Sequence, residues 1–224
     1  MKQFISIIAL FILMQLFLQA APVIATDAED ARIIVEKAKM TLENFTKDKN
    51  NVFLQENLKN TKGILIFPEV IKGGFFFGGG EGTGVLSVRN KKTGEWSQPV
   101  FYTIGSASFG FVIGAQIAEV VMLAMNQKAV DTLYSSSVKM GGDVSVAAGP
   151  YGSGITKNVI ADFIFFAQSK GLYAGLDIEG SGLVVRDDLN KAYYGREVQP
   201  LEIIVNKAVS NPASAPLLGA LRNR

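Results

Sequence analysis

The feature that most constrains this chain is Gly78-Gly79-Gly80-Glu81-Gly82-Thr83-Gly84, where five of seven residues are glycine. Glycine loses the most backbone freedom on ordering, so no helix runs through such a stretch. A nucleotide-binding reading also fails. A dinucleotide fingerprint needs glycines at its first, third and sixth positions, opening a helix whose N-terminus holds the phosphate. No frame here has that spacing, β-branched strand sequence follows, and no Gly-Lys pair exists anywhere for a phosphate-binding loop. What remains is structural: glycine lets strands cross closely or bend sharply.

The flanking sequence fits that reading. Thr26-Asp27-Ala28-Glu29 has the spacing of a capping box. Ala31, Ile34, Val35, Ala38, Leu42 and Phe45 then follow helical spacing to Asp48, and Asn51 to Lys59 predicts a second, shorter helix. From Gly63 the period becomes that of strands. Ile64 to Phe67 is a short apolar run stopped by Pro68. Val85 to Arg89, Val100 to Ile104, Phe109 to Ile113 and Ile117 to Met125 are further strand candidates, the last also compatible with a buried helix. Lys91-Lys92-Thr93-Gly94 predicts a hairpin turn with Trp96 on the returning strand. Asn126 is placed to cap a short helix through Tyr134. Val144 to Ala148, Ala161 to Ala167, Leu172 to Ile178 and Gly180 to Val185 are later strands, and Asp187-Asp188 reads as a turn. A last helix begins at Pro200, a favoured first-turn position for proline, and presents Leu201, Ile204, Val205 and Ala208 on one side. Asn211-Pro212 ends it, leaving a tail. The expected fold is one α+β domain over residues 26–224, a mostly antiparallel, barrel-like sheet with helices at both ends.

Chemistry is limited by two absences. The chain has no histidine and no cysteine. That excludes Ser-His-Asp and Cys-His catalysis, His-ligated metal, thiolate zinc sites, iron–sulfur clusters and disulfides. Asp177 and Glu179 alternate on one strand face, but two carboxylates without a loop of oxygen ligands make a solvated face before a metal or catalytic pair. The formal charge of +2, from 22 basic and 20 acidic residues, does not supply the concentrated basic face that nucleic-acid binding needs. We expect no enzyme activity, no cofactor and no nucleic-acid partner.

The N-terminus has the three parts of a secretory leader. Lys2 is the positive region, Phe4 to Leu18 is apolar apart from Ser6 and Gln15, and Val23-Ile24-Ala25 places suitable residues at −3 and −1. Cleavage after Ala25 is expected, with Ala20 as the alternative. The apolar run is short of the roughly 20 residues a spanning helix needs.

Basic and aromatic residues remain as candidates for a binding face. Arg89, Lys91 and Lys92 form the densest basic cluster, Lys62 and Lys72 flank the first strand, and Phe75-Phe76-Phe77 lies beside glycine and lysine. Near-surface cations attract anionic headgroups, and aromatics beside them suit interfacial insertion or core filling.

Together the segments Lys62-Gly63-Ile64-Leu65-Ile66-Phe67-Pro68, Gly78 to Leu86, Trp96-Ser97-Gln98-Pro99, Gly149-Pro150, Ser169 to Gly175, Ile178-Glu179-Gly180-Ser181 and Tyr193-Tyr194-Gly195 resemble the SYLF domain family. This is a lipid-binding module often joined, in eukaryotes, to Src-homology-3 or FYVE domains in proteins of actin regulation and membrane traffic. The resemblance covers about Ala31 to Gly195. It implies phospholipid binding, phosphoinositide and actin-filament binding in some members, and no catalytic role. With the leader, it implies an exported protein of the periplasm or cell surface that contacts anionic phospholipid or a membrane surface through Lys62, Lys72, Phe75, Phe76, Phe77, Arg89, Lys91, Lys92 and Lys170. The competing expectation is a structural or protein-interaction module, as a homo-oligomer or a binder of a host factor.

Overall fold

The computed structural model describes residues 26–74, 77–109, 114–152, 159–169 and 180–222. The leader, Phe75, Phe76, Lys170, Asp177, Glu179 and the strand expected over Leu172 to Ile178 lie outside them, as do residues 110–113 of the strand expected over Phe109 to Ile113.

Helix α1, Asp27–Lys47, starts at Thr26, whose Oγ1 accepts the Glu29 amide at 3.4 Å. It buries Ala31, Val35, Ala38, Leu42 and Phe45, each large apolar side chain contributing about 1.5–3 kcal/mol. Helix α2, Val52–Leu58, buries Leu54 and Leu58.

The sheet that follows has strands β1 Gly63–Gly74, β2 Phe77–Val88, β3 Val100–Phe109, β4 Gly114–Ala124, β5 Ser137–Lys139, β6 Val146–Ala148, β7 Phe163–Ser169 and β8 Gly182–Val185. Among the described residues it is eight-stranded, in the order β5-β8-β3-β2-β1-β4-β7-β6. All pairings are antiparallel except β6 with β7. Residues 140–145 join its two outermost strands, and Met140 bridges Val144 within them, so the sheet curls into a half-barrel. Side chains alternate between its faces. One face, with Leu65, Leu86, Val100, Tyr102, Met122 and Phe163, packs against helix α3, Gln127–Thr132, and against Ile203 and Ile204. The other, with Ile64, Ile66, Val85, Phe101, Val121 and Phe166, is covered by α1, α2 and two C-terminal helices.

Several local expectations hold. Asn126 caps α3 by accepting the Ala129 amide at 2.9 Å, and Arg89 bridges Trp96 across the turn. Ile117 to Ala124 is strand, which decides against a helix there.

Others are overturned. Pro68 does not stop β1: the strand passes through it as a bulge. Between Ile66↔Val85 and Glu69↔Thr83 it carries one residue more than β2, and it slips likewise against β4 between Phe67 and Val70. A bulge is where a strand tolerates a residue without an N–H. The glycine tract lies within β2 as strand. Gly84 sits opposite the bulge, where a Cβ would meet the Ile66 carbonyl oxygen at 2.2 Å, and one on Gly82 would meet that of Glu69 at 2.5 Å. The close crossing expected of these glycines is what the bulge requires.

Asp187 and Asp188 form no turn but the first turn of helix α4, Asp187–Tyr194, where acidic side chains favour the positive helix end. Arg186 holds the Asp188 carboxylate through two bonds of 2.6 and 2.9 Å. Helix α5, Pro200–Ile204, starts at Pro200 as expected, with Gln199 donating its amide to Glu202 at 2.9 Å, but the residues expected on one side do not share one environment. Ile203 and Ile204 are buried, whereas Leu201, Val205 and Ala208 are exposed. The expected tail is also structured. A 3₁₀ turn, Pro212–Ser214, leads into helix α6, Ala215–Arg222, whose Leu217, Leu218 and Leu221 are buried in the same cluster as α1.

A basic groove at one end of the sheet

The segment after β2 is folded by its own polar groups. Asn90 Oδ1 accepts the amides of Lys92 at 2.8 Å and Thr93 at 3.0 Å, and its carbonyl accepts the Gly94 amide at 2.8 Å. Gly94 takes φ +73°, a left-handed backbone that glycine enters without a Cβ penalty. Asparagine side chains commonly close such turns. The result is a short ledge carrying Lys91 and Lys92, both exposed.

Arg89 anchors the ledge. Its guanidinium lies 5.6 Å from the Trp96 ring centroid, a cation–π contact. It also donates to the carbonyl oxygens of Lys59 at 2.7 Å and Gly94 at 3.3 Å. Its amide donates to the Lys62 carbonyl at 2.8 Å, which brings Lys59 and Lys62 to the same end.

The facing wall comes from α5 and the residues after it. Val205 and Lys207 line a groove of about 370 Å³ together with Arg89, Lys91, Lys92 and Glu95. Lys207 pairs with Glu95 at 3.4 Å, a contact exposed enough to be worth little. Among the charged lining residues, Arg89, Lys91, Lys92 and Lys207 oppose only Glu95, four positive against one negative, a net of +3. The whole chain carries +2, so basic charge is concentrated here. Among the described residues Lys59, Lys62, Lys91 and Lys92 make no ion pair.

The structure therefore gathers four of the expected binding residues, Lys62, Arg89, Lys91 and Lys92. It separates them from Lys72, ten residues further along β1, where Lys72 pairs with Gly80 and Gln116. At about 3.3 Å per residue Lys62 and Lys72 lie up to roughly 33 Å apart along the chain. Phe77 begins β2 at Lys72's end, opposite Phe109. Phe75, Phe76 and Lys170 lie outside the described residues.

Near the Lys72 end a second cleft, about 580 Å³, opens between α1 and the β1–β2 pair, lined in part by Ile34, Lys37, Glu69, Ile71 and Glu81. Lys37 and Glu69 approach to 3.5 Å. The mixed charge there gives no field of one sign.

Lys59, Lys207, Leu201 and Val205 belong to the basic end but were not expected there. The four-residue spacing that sets Leu201 and Val205 on one side is legible in the sequence, but not that this side faces outward.

Residues 105–224 match the family model Ysc84, described as Las17-binding protein actin regulator. Protein YSC84 of Saccharomyces cerevisiae is 34% identical over 203 residues, covering 84% of this chain and 42% of that protein. LAS seventeen-binding protein 3 of the same organism is 32% identical, covering 84% and 43%. SH3 domain-containing YSC84-like protein 1 of Mus musculus is 30% identical, covering 74% and 49%. The chain thus spans less than half the length of these relatives. No solved structure matches. The family model covers more than half of the chain and the yeast relatives cover 84% of it at 32–34% identity: the chain belongs to the Ysc84 family, whose SYLF module its sequence resembles.

Proposed function

We propose that this chain is an exported, non-enzymatic module that binds anionic phospholipid surfaces of the cell envelope through its basic end. The observation that carries this is the convergence of Arg89, Lys91, Lys92 and Lys207 on one groove, with Lys59 and Lys62 beside it. Each cation near an anionic membrane surface adds about 1 kcal/mol, and the attraction fades within about 10 Å at 0.1 M salt. A cluster on one face therefore acts together, whereas Lys72 at the far end does not join it. Replacing Lys91 and Lys92 by glutamate reverses both ledge charges. Vesicle affinity at low salt should fall at least tenfold for phosphatidylserine-containing membranes. Unchanged affinity would remove this groove from the account.

Export rests on the leader-like Met1 to Ala25. Among the described residues no helix is long and apolar enough to cross a membrane. Intact mass of the protein recovered after expression of the full chain should correspond to a start at Thr26. A mass that retains Met1 contradicts cleavage.

A further inference from the structure

Leu201 and Val205 expose 47% and 54% of their surface, while Ile203 and Ile204 between them are buried. Single exposed apolar residues are ordinary on a soluble protein. Leu201 lies on α5 and Val205 is its C-terminal cap four residues on, with helical backbone, so they share one side of a turn. Their backbone is held firmly. Val205 and Asn206 both donate amides to the Leu201 carbonyl, at 2.9 and 3.2 Å, and the Ala208 amide returns to the Glu202 carbonyl at 2.9 Å. Lys207 turns the chain back with φ +51°, rare for a residue with a side chain. Val205 also lines the groove that Arg89, Lys91, Lys92 and Lys207 make positive.

An apolar pair fixed beside clustered cations matches a surface that is anionic outside and apolar just beneath. We propose that Leu201 and Val205 form an insertion edge that enters the headgroup–acyl boundary of an anionic bilayer while the neighbouring cations hold the phosphates. This rests on the membrane reading above and adds the depth and orientation of the bound protein. The β1–β2 hairpin end would point away from the bilayer. A phosphate ion or a soluble anionic partner would satisfy the lysines and leave the apolar pair in water.

The absence of native cysteine permits a clean test. Val205→Cys carries an environment-sensitive fluorophore, and Ile71→Cys, 49% exposed beside the opposite cleft, carries the same label as control. Each protein is added to mixed phosphatidylcholine–phosphatidylserine vesicles, with co-sedimentation measured in parallel. The expected result is a blue shift at position 205, quenched by spin labels on the acyl chains, with no change at position 71. Leu201→Ser with Val205→Ser should lower vesicle affinity at least tenfold without altering the unfolding temperature. Co-sedimentation with a water-like spectrum at position 205 overturns the insertion edge and leaves the membrane reading standing. Failure to co-sediment, for labelled and unlabelled protein alike, overturns both. A blue shift at 205 without vesicles, rising with protein concentration, assigns the edge to a second copy of the chain and overturns insertion.

Discussion

Gly84→Ala is expected to prevent stable folding, at a cost above about 4 kcal/mol, in the range that marks a broken structural requirement. The added Cβ would sit 2.2 Å from the Ile66 carbonyl oxygen and 2.6 Å from Phe67 Cδ1. The first obstacle is backbone, which cannot rotate away as a side chain would. Relief would have to come from moving β1 off β2 where the bulge at Pro68 already displaces it, and Ile66 and Phe67 belong to opposite cores. A domain has only about 5–15 kcal/mol to lose. Gly105→Ala is the matched control: it lies in β3, and a Cβ there meets nothing within 4 Å. That substitution should change stability by no more than about 0.5 kcal/mol. Urea unfolding of the two variants separates the outcomes, and equal midpoints would show that β1 and β2 do not cross this closely.

The second large effect is expected at Asp162. Its buried carboxylate accepts the Ser145 amide and hydroxyl, each at 2.9 Å, Asn126 Nδ2 at 2.8 Å, and Lys128 Nζ at 3.0 Å. It thereby joins the approach to β6, the cap of α3 and the start of β7. Asp162→Ala removes the acceptor shared by the Ser145 amide and the Asn126 amide group, at about 1–3 kcal/mol, since exposed Ser145 can turn part of its loss to water. The contact to Lys128 adds little, because that lysine is mostly exposed.

The same carboxyl carries a pH signature. The Ser145 backbone N–H, then the Asn126 side chain, with smaller help from Lys128, hold it well below the usual carboxylate range, against the opposing effect of burial. A group with a depressed folded pKa contributes stability above its unfolded value and loses it as pH falls through the folded one. The contribution of Asp162 should therefore be complete above about pH 5 and decline progressively below about pH 4. Asp162→Asn should be less stable than the natural protein at neutral pH, with the difference narrowing in acid. A difference that is constant across that range would contradict the role given to the charged form.

Much of the fold was legible where one segment carries its own signal. The helical spacing from Ala31 to Phe45 marked α1, and Thr26 and Asn126 were recognisable as caps because their acceptors serve amides three residues on. The turn at Asn90–Gly94 was equally local. What escaped the reading depends on neighbours. Pro68 stops an isolated strand, and it passes here because β1 bulges against both partners. Five residues of α5 are too few to define a face, so Leu201 and Val205 group with Ile204 in the sequence, whereas in the structure Ile203 and Ile204 hold the core and the other two are exposed. Asp187 and Asp188 suit a turn and a helix start alike, and only the pairing of β8 with β3 decides between them by placing Arg186 and α4 next in the chain. The leucines of α6 declare a partner only once α1 is beside them.

The binding face divides in the same way. Lys91 and Lys92 were visible as a basic turn. In the sequence Lys62 and Lys72 flank one short strand, but β1 continues through the bulge to twelve residues and leaves them at opposite ends. Lys207 reaches the groove through a turn of chain that periodicity does not announce.

The most direct test of the membrane-binding account is co-sedimentation of the protein, purified from cells expressing the full chain, with phosphatidylcholine–phosphatidylserine vesicles and with phosphatidylcholine vesicles over rising salt. The account predicts pelleting with the anionic vesicles at low salt that weakens steadily as salt screens the groove, and much weaker pelleting with the neutral ones. Equal pelleting with both, or none with the anionic vesicles at low salt, would contradict it.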